Sequence, residues 1–432
     1  MKKMILIFTL SLTLIFTACT QIPFLGRSPS EVEGTTPAVT ETPVAPEETA
    51  TLQPSSSEKT VFTVWVPPQF DPQNGTPSGE LFKSRLEEYS SQNPSLTIDV
   101  RVKDLSGPGS ILNTLRTAQE AAPGALPDVI AIPRALMEKT AEEELIIPFG
   151  EYAAFFEEKS WYSFADQLAV YNEKTYGIPF AADILVYAYQ SGSFENPPGT
   201  WEELLSTSQV MIFPASDSDA LVTLAFYESL GGEFAQLNDA YLVDRTPILE
   251  VLTFYQQAHQ EEVMPFWLTQ FETDQQAWNA YTERRSTQVI TWSSSFLQAN
   301  APNTTLAALP TSNGKAFSYT TGWVWSIVDR GSEQVDVGVQ FIDFFTEERY
   351  LAEWTTEAGF VPPLSSSMNF WGKAEVETNF FERVLPAANL IPSQKFLDHA
   401  GLVFQEAVIS VLEDQMDPEE AVSQIQDQLQ DQ

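Results

Sequence analysis

The 432-residue chain has one cysteine, Cys19, and two histidines, His259 and His399. A single cysteine excludes an intramolecular disulfide and a cysteine-based zinc site. Two histidines leave too little for a histidine-rich metal centre, so neither a metal nor a cofactor is expected. Positive charge is scarce: 22 Lys and Arg face 59 Asp and Glu, for a formal net charge of −37. A surface of that sign repels phosphate backbones and argues against a nucleic-acid partner. The chain also lacks a Gly-x-Ser-x-Gly elbow, a P-loop and a His-Glu-x-x-His pair. Neither histidine has a nucleophile near it in sequence, so both read as structural. Gly107-Pro108-Gly109 reads as a plain turn, and no internal repeat of fixed period occurs.

Apolar residues make up 43% of the chain, enough to bury a sizeable core, and the length allows about two or three domains. Met1 to Ala18 contains no acid: Lys2 and Lys3 precede an apolar run that ends Phe16-Thr17-Ala18-Cys19. A positive start followed by a short apolar stretch reads as a secretory signal over residues 1–18, too short to make a good membrane span. The cysteine stands where a lipidated first residue would follow cleavage, as in a bacterial lipobox, with Phe16 where that pattern usually has Leu. Residues 20–59 hold six Pro, seven Thr, five Ser and six Glu, with Phe24 as the only aromatic. Such a stretch cannot bury enough apolar surface to offset the entropy of ordering, so residues 19–59 read as a disordered tether. Its reach would be roughly 35 Å as a flexible coil and up to about 120 Å fully extended.

Beyond the tether, strand and helix signals alternate. Val61 to Val66 is a nearly continuous apolar run, the mark of a strand buried on both faces. Phe82, Leu86 and Tyr89 share a helical face before Pro94. Leu96, Ile98, Val100 and Val102 alternate with polar residues as a half-buried strand. Leu112, Leu115 and Ala118 mark a second helix, and Asp128 to Ile132 a third strand closed by Pro133. Strand, helix, strand, helix, strand implies a parallel sheet with helices on both faces. Further along, Thr200-Trp201-Glu202-Glu203 is a capping box. Val210 to Phe213 and Val289 to Trp292 read as strands. Thr246-Pro247 opens a long helix, and Asp417-Pro418-Glu419-Glu420 opens the last one, with Val422, Ile425 and Leu429 facing inward.

Taken together these segments resemble the family-1 extracellular solute-binding proteins, the lipid-anchored receptors of ABC importers. The resemblance runs from about Lys59 to the C-terminus. It is carried by Thr63-Val64-Trp65, Asn93-Pro94, Leu126-Pro127-Asp128-Val129 with Arg134, and Tyr176-Gly177-Ile178-Pro179-Phe180 through Asp183 to Tyr187. Thr200 to Leu204, Thr321-Gly322-Trp323 and Gly359-Phe360-Val361-Pro362 complete it. The usual Tyr-Asn after the crossover stands here as Tyr189-Gln190. The resemblance implies an α/β fold of two doubly wound lobes joined by a three-segment hinge, with ligand held between the lobes. Mapped by motif, crossings fall near Phe180–Asp183, Leu309–Thr311 and Phe360–Pro363. The first lobe then takes residues 60–181 and 310–360, and the second residues 182–309 and 361–432.

Candidate ligand contacts are Trp65 and Gln69 after the first strand, Arg134 after the third, Asp183 at the first crossing, Trp292 at the end of a second-lobe strand and Trp323 beside the second crossing. Aromatic planes suit the C–H faces of a sugar, and Asp, Arg and Gln suit its hydroxyls. Core packing is the alternative for Trp65 and Trp325. Trp161, Trp201, Trp267, Trp278, Trp354 and Trp371 are assigned to core or surface. The resemblance therefore implies a monomeric, non-enzymatic receptor on the outer face of the cell membrane. It would be held there through Cys19 and would pass a solute, foremost a carbohydrate, to permease subunits of an ABC transporter. A tethered glycoside-active enzyme and an adhesion protein are the competing readings.

Overall fold

Residues 59–431, apart from 238–239, 300 and 331–334, are described by a computed structural model. The signal, Cys19 and the tether up to residue 58 lie outside them. Three parallel-paired segments open the fold as the apolar runs demand: β1 (Thr60–Val66), β2 (Leu96–Val102) and β3 (Val129–Pro133). The helices Pro77–Gln92 and Ile111–Ala121 connect them. Each starts on a hydroxyl that accepts a first-turn amide, Thr76 from Gly79 and Ser110 from Asn113.

The other strands of this sheet are β4 (Ile178–Gln190), β5 (Met211–Ile212), β6 (Gln288–Trp292), β7 (Thr304–Ala307), β8 (Ser318–Ile327) and β9 (Ala388–Leu390). Among the described residues they join one nine-stranded mixed sheet ordered β2-β1-β3-β8-β4-β6-β5, with β7 on β4 and β9 on β8. The first half of β4, residues 178–184, pairs antiparallel with β8; its second half pairs with β6 and β7. One strand thus belongs to both halves of the sheet. Val361 adds a third segment at the same place, since Ala182 and Val361 exchange backbone hydrogen bonds of 2.8 and 3.0 Å.

The hydrophobic core divides in the same way. On β1, Phe62, Val64 and Val66 face one core with Phe82, Trp325 and Phe341, while Trp65 faces the opposite one with Ile111, Leu115 and Ile130. Period-2 alternation with both faces apolar is what a doubly wound lobe requires. Around the second half of the sheet lies a third core. It includes Tyr187, Ile290, Phe226, Tyr255 and Phe404, together with Val422, Ile425 and Leu429 of the last helix, Pro418–Asp431. The Thr200 capping box forms as read, closed by the Glu203 carboxylate. The strand expected over 210–213 shrinks to two residues, because only Met211 and Ile212 reach β6. Pro310 and Thr311 stay with the second half: the Trp201 indole donates to the Pro310 carbonyl at 3.1 Å, and Thr311 bridges Thr200. The chain next enters the sheet with β8, which pairs with β4 and β3.

Two expectations follow from the junction of β4 and β8. A Cβ on Gly322 would stand 2.3 Å from the Ala181 carbonyl oxygen and 3.1 Å from Leu168 Cδ2. Backbone on the far side cannot yield as a side-chain tip can. Gly322→Ala should therefore lower unfolding free energy by at least about 1–3 kcal/mol in chemical denaturation. Nearby, the Glu228 carboxyl is pushed up to about 7 by burial, beside the Tyr319 hydroxyl of β8. A carboxyl raised in the folded state stabilises the protein most below its ordinary value, and that stability is lost as pH rises through about 7. Glu228→Gln, which mimics the protonated acid, should raise stability at pH 8 by about 1–2 kcal/mol and flatten the pH dependence of melting between pH 5 and 8.

Candidate functional site

Asp183 lies midway along β4, where its pairing passes from β8 to β6. Its Oδ1 accepts from Ser293 Oγ at 2.7 Å and from the Ser294 amide at 2.9 Å, and its Oδ2 accepts from Ser294 Oγ at 2.5 Å. Those donors open the helix Ser293–Ala299, which follows directly on β6. A carboxylate at a helix start is favoured by the unpaired first-turn amides. Burial raises the Asp183 carboxyl, and the serine and backbone donors oppose that rise.

A second acid repeats the arrangement one step along. Asp274 accepts from the Trp292 amide at 3.1 Å and from Ser295 Oγ at 2.6 Å, and burial pushes it up to about 6. The run Trp292-Ser293-Ser294-Ser295 is thus pinned by two aspartates, and the Trp292 ring is left half-buried at the end of β6. On β8, Thr321 faces Asp183 and Trp323 faces Ala181. Trp323 therefore lies two residues along from Asp183, on the same face of the sheet. Its ring is half-buried and meets Phe70 edge to face at 4.7 Å. Gln69, the residue before Phe70, is exposed. The structure thus brings Asp183, Trp292 and Trp323 to the strand junction between the halves, and Gln69 precedes the ring that Trp323 meets.

Trp65 is not there. It is 1% exposed, packed in the first-half core, with Lys103 Nζ 5.2 Å from its ring centre. The reason is alternation: Trp65 points to the opposite face from Val64 and Val66, and the helix Ile111–Ala121 covers that face. Core packing is therefore the correct reading of Trp65 as well as of Trp325.

Arg134 begins the helix Arg134–Glu142 after β3 and lines a cavity of about 870 Å³. The helix and the hairpin 170–175 with Tyr176 form one side of this cavity. Phe234, Gln236 and Tyr241, with Pro392 to Phe396, form the other. Sequence reasoning missed Tyr171, Tyr176 and Tyr241. A local signal existed for the first two: Asn172 and Glu173 both have positive φ, 46° and 62°, the two-residue turn that Asn favours between short strands. No comparable signal marks Tyr241, which comes from a hairpin spanning 234–243. Arg134 is 9% exposed, pairs with Glu138 at 2.9 Å and donates to the Ile391 carbonyl at 2.5 Å. Among the described residues no group of three or more His, Cys, Asp or Glu side chains could hold a metal ion, and no helix is long and apolar enough to cross a membrane.

Comparison with known proteins agrees with this architecture. A sequence relative, the maltotriose-binding protein of Pyrococcus abyssi, is 23% identical over 305 residues, covering 67% of this chain and 65% of its own length. Among solved structures, the cyclic α-maltosyl-1,6-maltose binding protein of Arthrobacter globiformis superposes with a TM-score of 0.70 at 18% identity, over 86% of this chain and 98% of that one. The maltose-bound MalE3 of T. maritima gives 0.67 at 17% identity, over 86% and 99%. At such identity these structures establish the shared fold. The model of bacterial extracellular solute-binding proteins matches residues 85–379, more than half of the chain, and the chain belongs to that family, which binds solutes and is not enzymatic.

Proposed function

We propose that this chain is the substrate-binding component of an ABC importer, that its solute is a carbohydrate of the malto-oligosaccharide class, and that it is held at the outer face of the membrane through Cys19. The observation that carries the carbohydrate reading is the composition of the 870 Å³ cavity. Tyr171, Tyr176 and Tyr241 supply rings for apolar sugar faces. Arg134, Glu138, Asn172, Gln236 and Lys395 supply donors and acceptors for hydroxyls. The volume lies toward the upper end of the range for small-molecule sites, which suits more than one sugar ring. Asp183, Trp292 and Trp323 at the strand junction, with Gln69, are assigned to the same ligand as contacts beyond the lining of that cavity. The maltose-type ligands in the names of the relatives support this choice of sugar. Delivery to separate permease subunits follows from the family's role and from the absence of a P-loop in the sequence.

Titration with maltotriose should produce a saturable change in intrinsic fluorescence without release of product. A flat response across malto-oligosaccharides would overturn the assignment of sugar class. Trp323→Ala and Trp292→Ala should each weaken binding by roughly 1–3 kcal/mol while the melting transition stays close to that of the parent. A loss of about 3–5 kcal/mol in folding stability with normal binding by the folded fraction would make either ring a core residue instead.

Cys19→Ala tests the anchor separately. The variant should leave the membrane fraction and bind solute with unchanged affinity, because Cys19 lies forty residues before β1. Retention in the membrane after signal processing would show that something other than a lipid on Cys19 holds the chain there.

A further inference from the structure

The helix Arg134–Glu142 turns Leu136, Met137 and Ala141 into the first-half core. The helix Gln394–Leu412 turns Phe396, Leu397, Ala400 and Phe404 into the second-half core. Polar contacts tie the two helices together. Glu138 Oε2 accepts from the Gln394 amide at 2.7 Å, and Arg134 Nη1 donates to the Ile391 carbonyl at 2.5 Å. Between them, Arg134 Nε and Glu138 Oε1 pair at 2.9 Å, one helical turn apart. The Glu138 carboxylate thereby sits on a first-turn amide of a helix in the other lobe, where an anion is favoured. Ser393 caps the Phe396 amide of the same helix from its own chain segment. At the rim, Lys139 reaches Asp398 at 3.1 Å, with both side chains largely exposed. Surface pairs of that kind contribute little, so the grip rests on Arg134 and Glu138.

We propose that Arg134 and Glu138 form a clasp between the lobes, gripping the backbone at the start of helix Gln394–Leu412 and so holding the cleft closed. Both are then positioning residues for solute retention. The guanidinium turns Nε to Glu138 and Nη1 to a backbone carbonyl of the opposite lobe, and the carboxylate gives one oxygen to Arg134 and the other to a backbone amide of that lobe. Both residues, with Ser393 and Phe396, also line the 870 Å³ cavity, so the clasp is part of that cavity's wall. Closure of a hinged pair of lobes needs contacts from both sides, and these tie a first-half helix to the start of a second-half helix.

The retention half of the proposal rests on the sugar-binding reading; the clasp does not. Hydrogen exchange on the full chain without any solute, resolved to single amides, tests the clasp. The Gln394 amide should be protected in the parent. It should exchange about ten-fold or more faster in Glu138→Ala, while amides of β6 keep their rates. Glu138→Gln should restore much of the protection, because its carbonyl oxygen still accepts from that amide. Should Glu138→Ala fail to fold, Arg134→Lys takes its place, since an ammonium cannot serve both Glu138 and Ile391. An unprotected Gln394 amide in the parent, or unchanged exchange in the variants, overturns the clasp. With maltotriose as the probe, dissociation from a clasp variant should be about ten-fold faster. An unchanged off-rate overturns the retention role. If the parent does not bind maltotriose, the sugar reading fails, and the exchange rates alone decide the clasp.

Discussion

The fold depends on one strand serving two cores. β4 spans thirteen residues, and almost every side chain from Ile178 to Tyr189 is buried. Its first half is held by β8 and its second by β6 and β7. Partners on both flanks are required along its length, because a buried strand leaves no amide or carbonyl for water to pair. Asp183 stands where the partners change. An acid at that point would be costly without partners, and Ser293 and Ser294 supply them. The same hydrogen bonds fix the start of the helix after β6, so the hinge strand and the candidate ligand residues share one set of constraints.

A chain carrying 37 net negative charges meets a second constraint when two of its lobes approach. Facing surfaces of like sign repel, and the few cations gain importance where they stand between them. Lys139 and Arg134 occupy such positions. Lys139 lowers the carboxyl of Asp219, which burial and the charges of Asp217 and Asp398 together push up to about 6. Glu138 is the acid that this interface admits directly, and it comes with its own arginine and a helix-start amide. The buried pair adds orientation as well as attraction, since its hydrogen bonds reach backbone atoms at fixed places in the opposite helix.

Local rules reached a definite distance. Strands β1, β2 and β3, the Thr200 capping box and the inward face of the last helix could be read because their signals lie within a turn or two of the residues concerned. The continuous apolar run of β1 announced two buried faces, but not that Trp65 at its end falls under the helix Ile111–Ala121 and out of the cleft. Trp323 and Trp292 are half-buried for the converse reason: each stands at the sheet junction, where partner strands change and cover is incomplete. The tyrosines of the cavity escaped notice because short hairpins carry little periodicity, and only the turn at Asn172 marks two of them, Tyr171 and Tyr176.

Arg134 shows where that kind of reading ends. Its position after a buried strand marks it as a residue of the cleft, and it does line the cavity. Position alone cannot tell what its guanidinium meets, because the carbonyl it reaches belongs to Ile391, 257 residues further along the chain. A sequence records which donors are available at a lobe edge. Whether a donor is spent on a solute or on the other lobe depends on how closely the lobes approach, and that distance is set jointly by β4, by the clasp and by whatever fills the space between them. Arg134 and Glu138 stand at the point where these three meet, since the pair that ties the two helices together also lines the cavity between them.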